Sequence, residues 1–254
     1  MTLHLVEALA GPAHRGPVVH LLGLPHVTDC VGSHPVAPGG RRLLAFLSLH
    51  REHLDRGYVA GSLWPDVLQT RAAGNLRSAL NRLNAGGVPL VAVEQSGLAL
   101  RDEVLVDIRL LGDWATRVVC GEHNEQDLAV TAWDLSRLDL LPGWYDDWVL
   151  LERERLRQRL LHALELVSRD RTRHGRYAEA VDAALVAVNG DPLRESGQRV
   201  LIEAYLAEGN WPGARRQFDA YQRTLRVELG VRPSAGLAAL VVAAGPPPPR
   251  SPSA

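Results

Sequence analysis

The stretch TRAAGNLRSALNRLN, residues 70–84, holds three arginines, three asparagines and no acid. Arginine and asparagine are the side chains that bond bidentately to guanine and adenine edges in the major groove of DNA. Wound as a helix, Arg71, Asn75, Ser78 and Arg82 follow at i, i+4, i+7 and i+11 and form one ridge, with Arg77 and Asn81 beside it. Ala72, Ala73, Leu76, Ala79, Leu80 and Leu83 gather on the other side, which predicts a helix packed on a core by an Ala/Leu stripe. From Val67 to Val93 there is no Asp or Glu. A solvated face that happens to lack acids is the plain alternative, so the neighbouring elements must decide.

Catalytic and metal chemistry finds less support. All 28 basic residues are arginine, so no phosphate-loop lysine and no Schiff-base lysine exists. His50 and His53 are spaced i, i+3 around Glu52, but no HExxH pattern and no nearby cysteine accompanies them. Asp146 and Asp147 are adjacent and stand before a helix, where Asp complements the dipole. No nucleophile elbow or dinucleotide-binding loop stands out. The expectation is no enzyme, no metal and no cofactor. Cys30 and Cys120 lie far apart outside any CxxC pattern and are expected as buried reduced thiols. The net charge is −1 and the pI about 6.8, so any DNA site must be a local patch. No apolar run is long enough to span a membrane and no signal peptide is legible, which predicts a cytoplasmic, nucleoid-associated protein.

The elements around the Arg/Asn helix place it. Residues 1–16 read as an irregular leader. Val18–Gly23, Val27–Val31 and Pro35–Ala37 read as short strands broken by Pro, Gly and Asp. Gly39-Gly40 introduces an apolar helix from Arg41 to His50, and a second helix from Arg56 to Trp64 stops at Pro65. The Arg/Asn helix is the third. PLVAVE and LALRDEVLVD then alternate as two strands, with Gly97 expected at positive φ in the turn. Three helices followed by a hairpin is the winged-helix order, in which the last helix enters the major groove. Gln95 and Ser96 stand at the wing tip and are candidates for phosphate contacts. Arg41 and Arg42 open the first helix, whose N-terminus favours an anion; an ordinary solvated helix start is the alternative.

Beyond Asp107, a plausible N-cap, the chain reads as all helix. Trp148, Leu151, Leu156, Leu160, Leu164 and Val167 stripe a long amphipathic helix. Gly175, Tyr177, Ala180 and Ala184 recur as Gly209, Trp211, Ala214 and Phe218, each 34 residues later. That is the tetratricopeptide period, with the aromatic expected buried between repeats and Asp191-Pro192 closing the first unit. Stacked repeats offer concave surfaces to partner proteins. The end, GPPPPRSPSA, reads as a disordered tail. The expected division is a leader at 1–16, a winged helix at 17–107, a helical-repeat domain at 108–244 and a tail at 245–254.

The segments GGRRLLAFLSLH, SLWPD, TRAAGNLRSALNRL, LLPGWYDDWVLLERERLR, GRYAEAV and ELGVRPS resemble the Streptomyces antibiotic regulatory protein family of activators, from about Val18 to Leu240. The block LLPGWYDDWVLLERERLR is the most specific, since no fold rule alone demands it. The resemblance implies an α+β winged helix of response-regulator type followed by an all-α, tetratricopeptide-like bacterial transcriptional activation domain. It implies activation of clustered genes, often for secondary metabolism, through direct repeats on double-stranded DNA, a homodimer formed on DNA, and recruitment of RNA polymerase holoenzyme. It makes the loop Trp64, Pro65, Asp66, Val67 and Leu68 a polymerase contact; a buried plug is the alternative. One departure lies after the wing turn, where the family usually has Gly-Tyr and this chain has Gly97-Leu98. The rival from another class is a protein-interaction module that works through its repeats without binding DNA.

Overall fold

The structure is a computed structural model that describes residue 6 and residues 9–10, 14–95, 97–129 and 139–245. The expected tail lies almost wholly, the leader largely, and Ser96 entirely, outside the described residues. The chain forms two compact units, Met1–Asp113 with Leu138–Glu154, and Trp114–Arg137 with Arg155–Ala254.

The first unit opens with three short strands, Val18–His20 (β1), His26–Thr28 (β2) and Ser33–Pro35 (β3). Antiparallel pairing joins β1 to β2 and β2 to β3. Three helices follow: Pro38–Leu49 (α1), Arg56–Leu63 (α2) and Gln69–Asn84 (α3). Helix α3 packs on both α1 and α2. Val91–Val93 (β4) and Leu98–Leu100 (β5) make the hairpin, with Val91 opposite Leu100 and Val93 opposite Leu98. Leu54, between α1 and α2, bridges Leu98 as a one-residue third strand.

The expected strand LALRDEVLVD divides in two. Its first half stays in the wing. A tight turn closes on Val104 N–H to Arg101 C=O, and Leu105–Val106 (β6) then leaves to pair in parallel with β1, giving the sheet order β3-β2-β1-β6. Gly97 is also needed for a reason other than the one expected. It is not among the positive-φ residues. A Cβ there would stand 2.3 Å from the Leu54 carbonyl oxygen, so the close approach of the Leu54 bridge excludes a side chain.

Helix Asp107–Cys120 (α4) starts where β6 ends. Asp107 is fully buried and does more than cap its own helix. Its carboxylate accepts from the N–H of Leu21, Leu22 and Ile108 at 2.7–3.0 Å, tying the end of β1 to the start of α4. Burial pushes its pKa up to about 6, although those three amides pull it down. His20 next to it is buried, and burial with neighbouring His26 lowers its pKa to about 4. The two histidine rings stack with centroids 4.4 Å apart.

The second unit is helical. Glu125–Ala129 (α5) precedes Asp147–Arg173 (α6), whose later part belongs here, then Tyr177–Gly190 (α7), Glu195–Ala207 (α8), Trp211–Leu229 (α9) and Ala235–Ala244 (α10). Helix α8 packs on α7 and on α9, and α9 packs on α10. The 34-residue period is visible in the helix ends. Helices α6 and α8 stop at Arg173 and Ala207; α7 and α9 start at Tyr177 and Trp211. Between each stop and start stands a glycine in the left-handed region, Gly175 (φ 72°) and Gly209 (φ 82°). Ala180, Ala184 and Ala214 are completely buried, as small residues must be where helices approach closely. Trp211 is half-buried rather than enclosed, because it is the first residue of α9 and lies at the rim of the stack. Cys30 and Cys120 are unpaired, as expected, but both are exposed. In the long stripe Leu160, Leu164 and Val167 are buried, whereas Leu151 is exposed.

Candidate nucleic-acid interface

Helix α3 is positioned by its apolar stripe. Ala72, Leu76, Ala79, Leu80 and Leu83 are buried against α1 and α2. Ala73 falls outside the stripe and is exposed, one step round the helix from Ala72. What remains outward is the polar ridge. Arg71, Arg77, Ser78, Asn81 and Arg82 are exposed and Asn75 is half-buried. Arg71, Asn75, Arg77, Asn81 and Arg82 make no side-chain hydrogen bond or ion pair among the described residues. Ser78 donates its hydroxyl hydrogen to the Gly74 carbonyl at 3.0 Å and keeps its lone pairs for another donor.

The six residues do not form one equivalent set. Arg82 is near the C-terminal end of α3, and its guanidinium lies across Gly39, in the first turn of α1. A Cβ at Gly39 would overlap it, so the glycine makes room for the cation. That first turn has no side-chain cap and no acid. Pro38 has no N–H and Gly40 N–H donates to the Ala37 carbonyl at 2.8 Å, so the Gly39 N–H and the Arg82 guanidinium are the donors that meet at this place, a pair suited to a phosphate oxygen.

The other sequence-derived candidates are placed as follows. Arg41 donates from Nε to the Val36 carbonyl at 2.8 Å. Arg42 is ion-paired with Asp146, the residue before α6. The carboxylate of Asp146 is thus turned to Arg42, while its backbone carbonyl accepts from Val149 and Leu150 and starts the helix. Gln95 is exposed at the wing tip, beside Glu94, which pairs with His53 at 3.3 Å. In the loop before α3, Pro65, Asp66 and Leu68 are exposed, with Leu68 80% accessible. Trp64 and Val67 are half-buried, so the loop is not a buried plug.

The block after residue 138 has a role that sequence patterns did not show. Gly23 N–H donates to Asp139 C=O and Leu141 N–H to Leu21 C=O, and Leu22 bridges Leu140, so this segment extends the β1 side of the first unit. Leu141 (φ 50°) and Gly143 (φ 81°) turn the chain through the left-handed region. Arg153 holds that turn by donating to the carbonyls of Leu140, Leu141 and Trp144 at 2.7–3.3 Å. Trp148 then meets Phe46 of α1 edge-on at 5.2 Å. The C-terminal end of α1 is held by Arg109, whose guanidinium donates to the carbonyls of Leu47, Ser48 and His50, and its N-terminal end by the Arg42–Asp146 pair. Both ends of α1, the helix on which α3 rests, are therefore fixed by distant residues.

Among the described residues no cluster of side chains could hold a metal ion, and no helix is long and apolar enough to cross a membrane. No curated protein sequence matches the chain. Among solved structures, the fold is similar to that of Mycobacterium tuberculosis EmbR, described in complex with a low-affinity phosphopeptide, with a TM-score of 0.69 and 20% identity. The likeness covers 91% of this chain and 66% of that one, so the chain spans just under two thirds of that protein. It supports the order found here, a small sheet and winged helix followed by an all-helical region. The family "Bacterial transcriptional activator domain" matches residues 114–243, just over half of the chain. The chain belongs to this family.

Proposed function

We propose that the chain is a sequence-specific DNA-binding activator in which α3 reads the major groove and the β4–β5 wing lies along the backbone. The observation that carries this reading is the exposed ridge of α3. Its three arginines and two asparagines have no partner among the described residues, and no acid lies on the helix. Exposed cations left unpaired on a helix so firmly seated suit an external anion. The N-terminal half of α3, with Arg71, Asn75, Arg77 and Ser78, is assigned to base edges. Arg82 is assigned to a phosphate, with the first turn of α1. Gln95 at the wing tip, its sequence neighbour Ser96 and Arg41 are assigned to the backbone. Arg42 is assigned to Asp146 and a supporting role. The loop from Trp64 to Leu68 is assigned to RNA polymerase, since it presents apolar Leu68 beside the reading helix. The regulated genes are read as clustered genes of secondary metabolism, on the family resemblance.

One helix reads only a few base pairs, and a genome offers about a million or more competing sites. Two copies on direct repeats about one helical turn apart (~10–11 bp) would place both α3 helices on one face of the duplex. Inserting about half a turn (~5 bp) between the repeats should abolish cooperative binding, and a full turn should restore part of it. Binding indifferent to that spacing would defeat the paired arrangement.

A second reading, interaction through the helical repeats without DNA, draws on the net charge of −1 and on Glu94 at the wing tip. A gel shift against the chain's own upstream region separates the two, because that reading expects no shift.

A further inference from the structure

We propose that a concave face on the second unit, between Tyr205 of α8 and the outer side of α9, binds an extended acidic segment of a partner protein. The concavity encloses about 430 Å³. Its wall is the half-buried Tyr205 ring, and along α9 it is lined by Gly213, Arg216, Ala220 and Arg223. Arg216 and Arg223 are exposed and have no hydrogen bond or ion pair among the described residues. The one acid in the lining, Asp219, is already paired with Arg215 at 3.1 Å. Gln217 is fixed by its donation to Gln198 at 2.7 Å, so the floor is ordered.

The spacing selects the ligand. Arg216 and Arg223 lie two turns apart, about 10.5 Å along the helix. Ala220 between them leaves the depression open. A chain extended as polyproline II rises about 3.1 Å per residue with about three residues per turn, so carboxylates three residues apart share a face and would meet both guanidinia. Val227 continues the Arg216–Ala220–Arg223 row and is 80% exposed, which adds an apolar contact beside the charges. A polypeptide supplies both chemistries. A duplex does not, and it would also meet Glu228, exposed near the end of α9. The chemistry of this face does not depend on α3 reading DNA.

The test uses the full chain and a fluorescein-labelled synthetic peptide with glutamate at every third position and a leucine beside each. The control peptide carries glutamine at every glutamate. Fluorescence anisotropy should show binding of the acidic peptide that weakens about tenfold or more in Arg216→Gln/Arg223→Gln. Arg226→Gln, on the same helix outside the groove, should leave it unchanged. All these positions are exposed, and matching melting curves would confirm intact folding. The double variant should also bind duplex DNA as the wild type does. Equal peptide affinity in wild type and double variant would overturn the proposal, as would equal binding of the glutamine peptide. A loss of duplex binding that matches the loss of peptide binding would overturn it too, by making the face a phosphate surface.

Discussion

Arg42, at the start of α1, is ion-paired with Asp146, the residue that precedes α6, 104 positions later. The pair is partly exposed, with side chains 41% and 26% accessible, so screening by water limits its worth to about 1 kcal/mol. Arg42→Ala should therefore lower the melting temperature slightly and leave the salt dependence of DNA binding unchanged. A fall of about one in the slope of log K against log salt would instead make Arg42 a phosphate contact.

The buried neighbours His20 and Asp107 give the first unit a concealed pH dependence. Folding lowers the His20 pKa from 6.5 to about 4, so the unfolded chain takes the proton first. Its contribution therefore grows as pH rises from about 4 to 6.5. Folding raises the Asp107 pKa from 3.8 to about 6, so the folded chain takes the proton first. Its contribution falls as pH rises through that interval. The slopes oppose each other in the wild type. Denaturant titrations of His20→Asn should show stability falling between about pH 4 and 6. Those of Asp107→Asn should show it rising between about pH 4 and 6.5. Profiles parallel to the wild type in both variants would mean that neither group titrates differently on folding.

In the second unit the alanine, not the aromatic, should be the sensitive position of the repeat. Ala214 is completely buried in a cluster with Ile202, Phe218 and Tyr221. Ala214→Leu should overpack it and cost about 1–3 kcal/mol. Trp211, half-buried at the start of α9, should lose less than the roughly 3–5 kcal/mol typical of an enclosed tryptophan when changed to Ala. Thermal melts rank the two. A larger loss in Trp211→Ala than in Ala214→Leu would contradict the observed burial.

Local patterns carried the reading where the physics is local. The period of the Ala/Leu stripe placed α3 to within a residue and left its polar ridge outward, and the 34-residue match located two equivalent helix starts. Ala73 borders the stripe yet is exposed, because a period does not resolve edges. The features that fix α1 were illegible. Arg42–Asp146, Arg109 on the α1 carbonyls and the Leu22–Leu140 bridge join residues 59 to 118 positions apart, and no periodicity encodes such pairings. Gly97 is legible as a turn residue, but the reason it must be glycine is not, since the Leu54 carbonyl that crowds it comes from another part of the chain. Arg82 kept its place on the ridge, but its lie across Gly39 needed the packing of α3 on α1.

The central claim is that α3 reads bases while its C-terminal end holds the backbone. The most direct measurement is a set of anisotropy titrations of the full chain on its own upstream duplex and on a scrambled duplex, across a range of salt. Arg71→Ala should lose about 1–3 kcal/mol on the upstream duplex and much less on the scrambled one. Arg82→Ala should weaken both alike and lower the salt slope by about 1. Equal losses on both duplexes for Arg71→Ala, or wild-type affinity in both variants, would contradict the account and remove α3 from the reading of sequence.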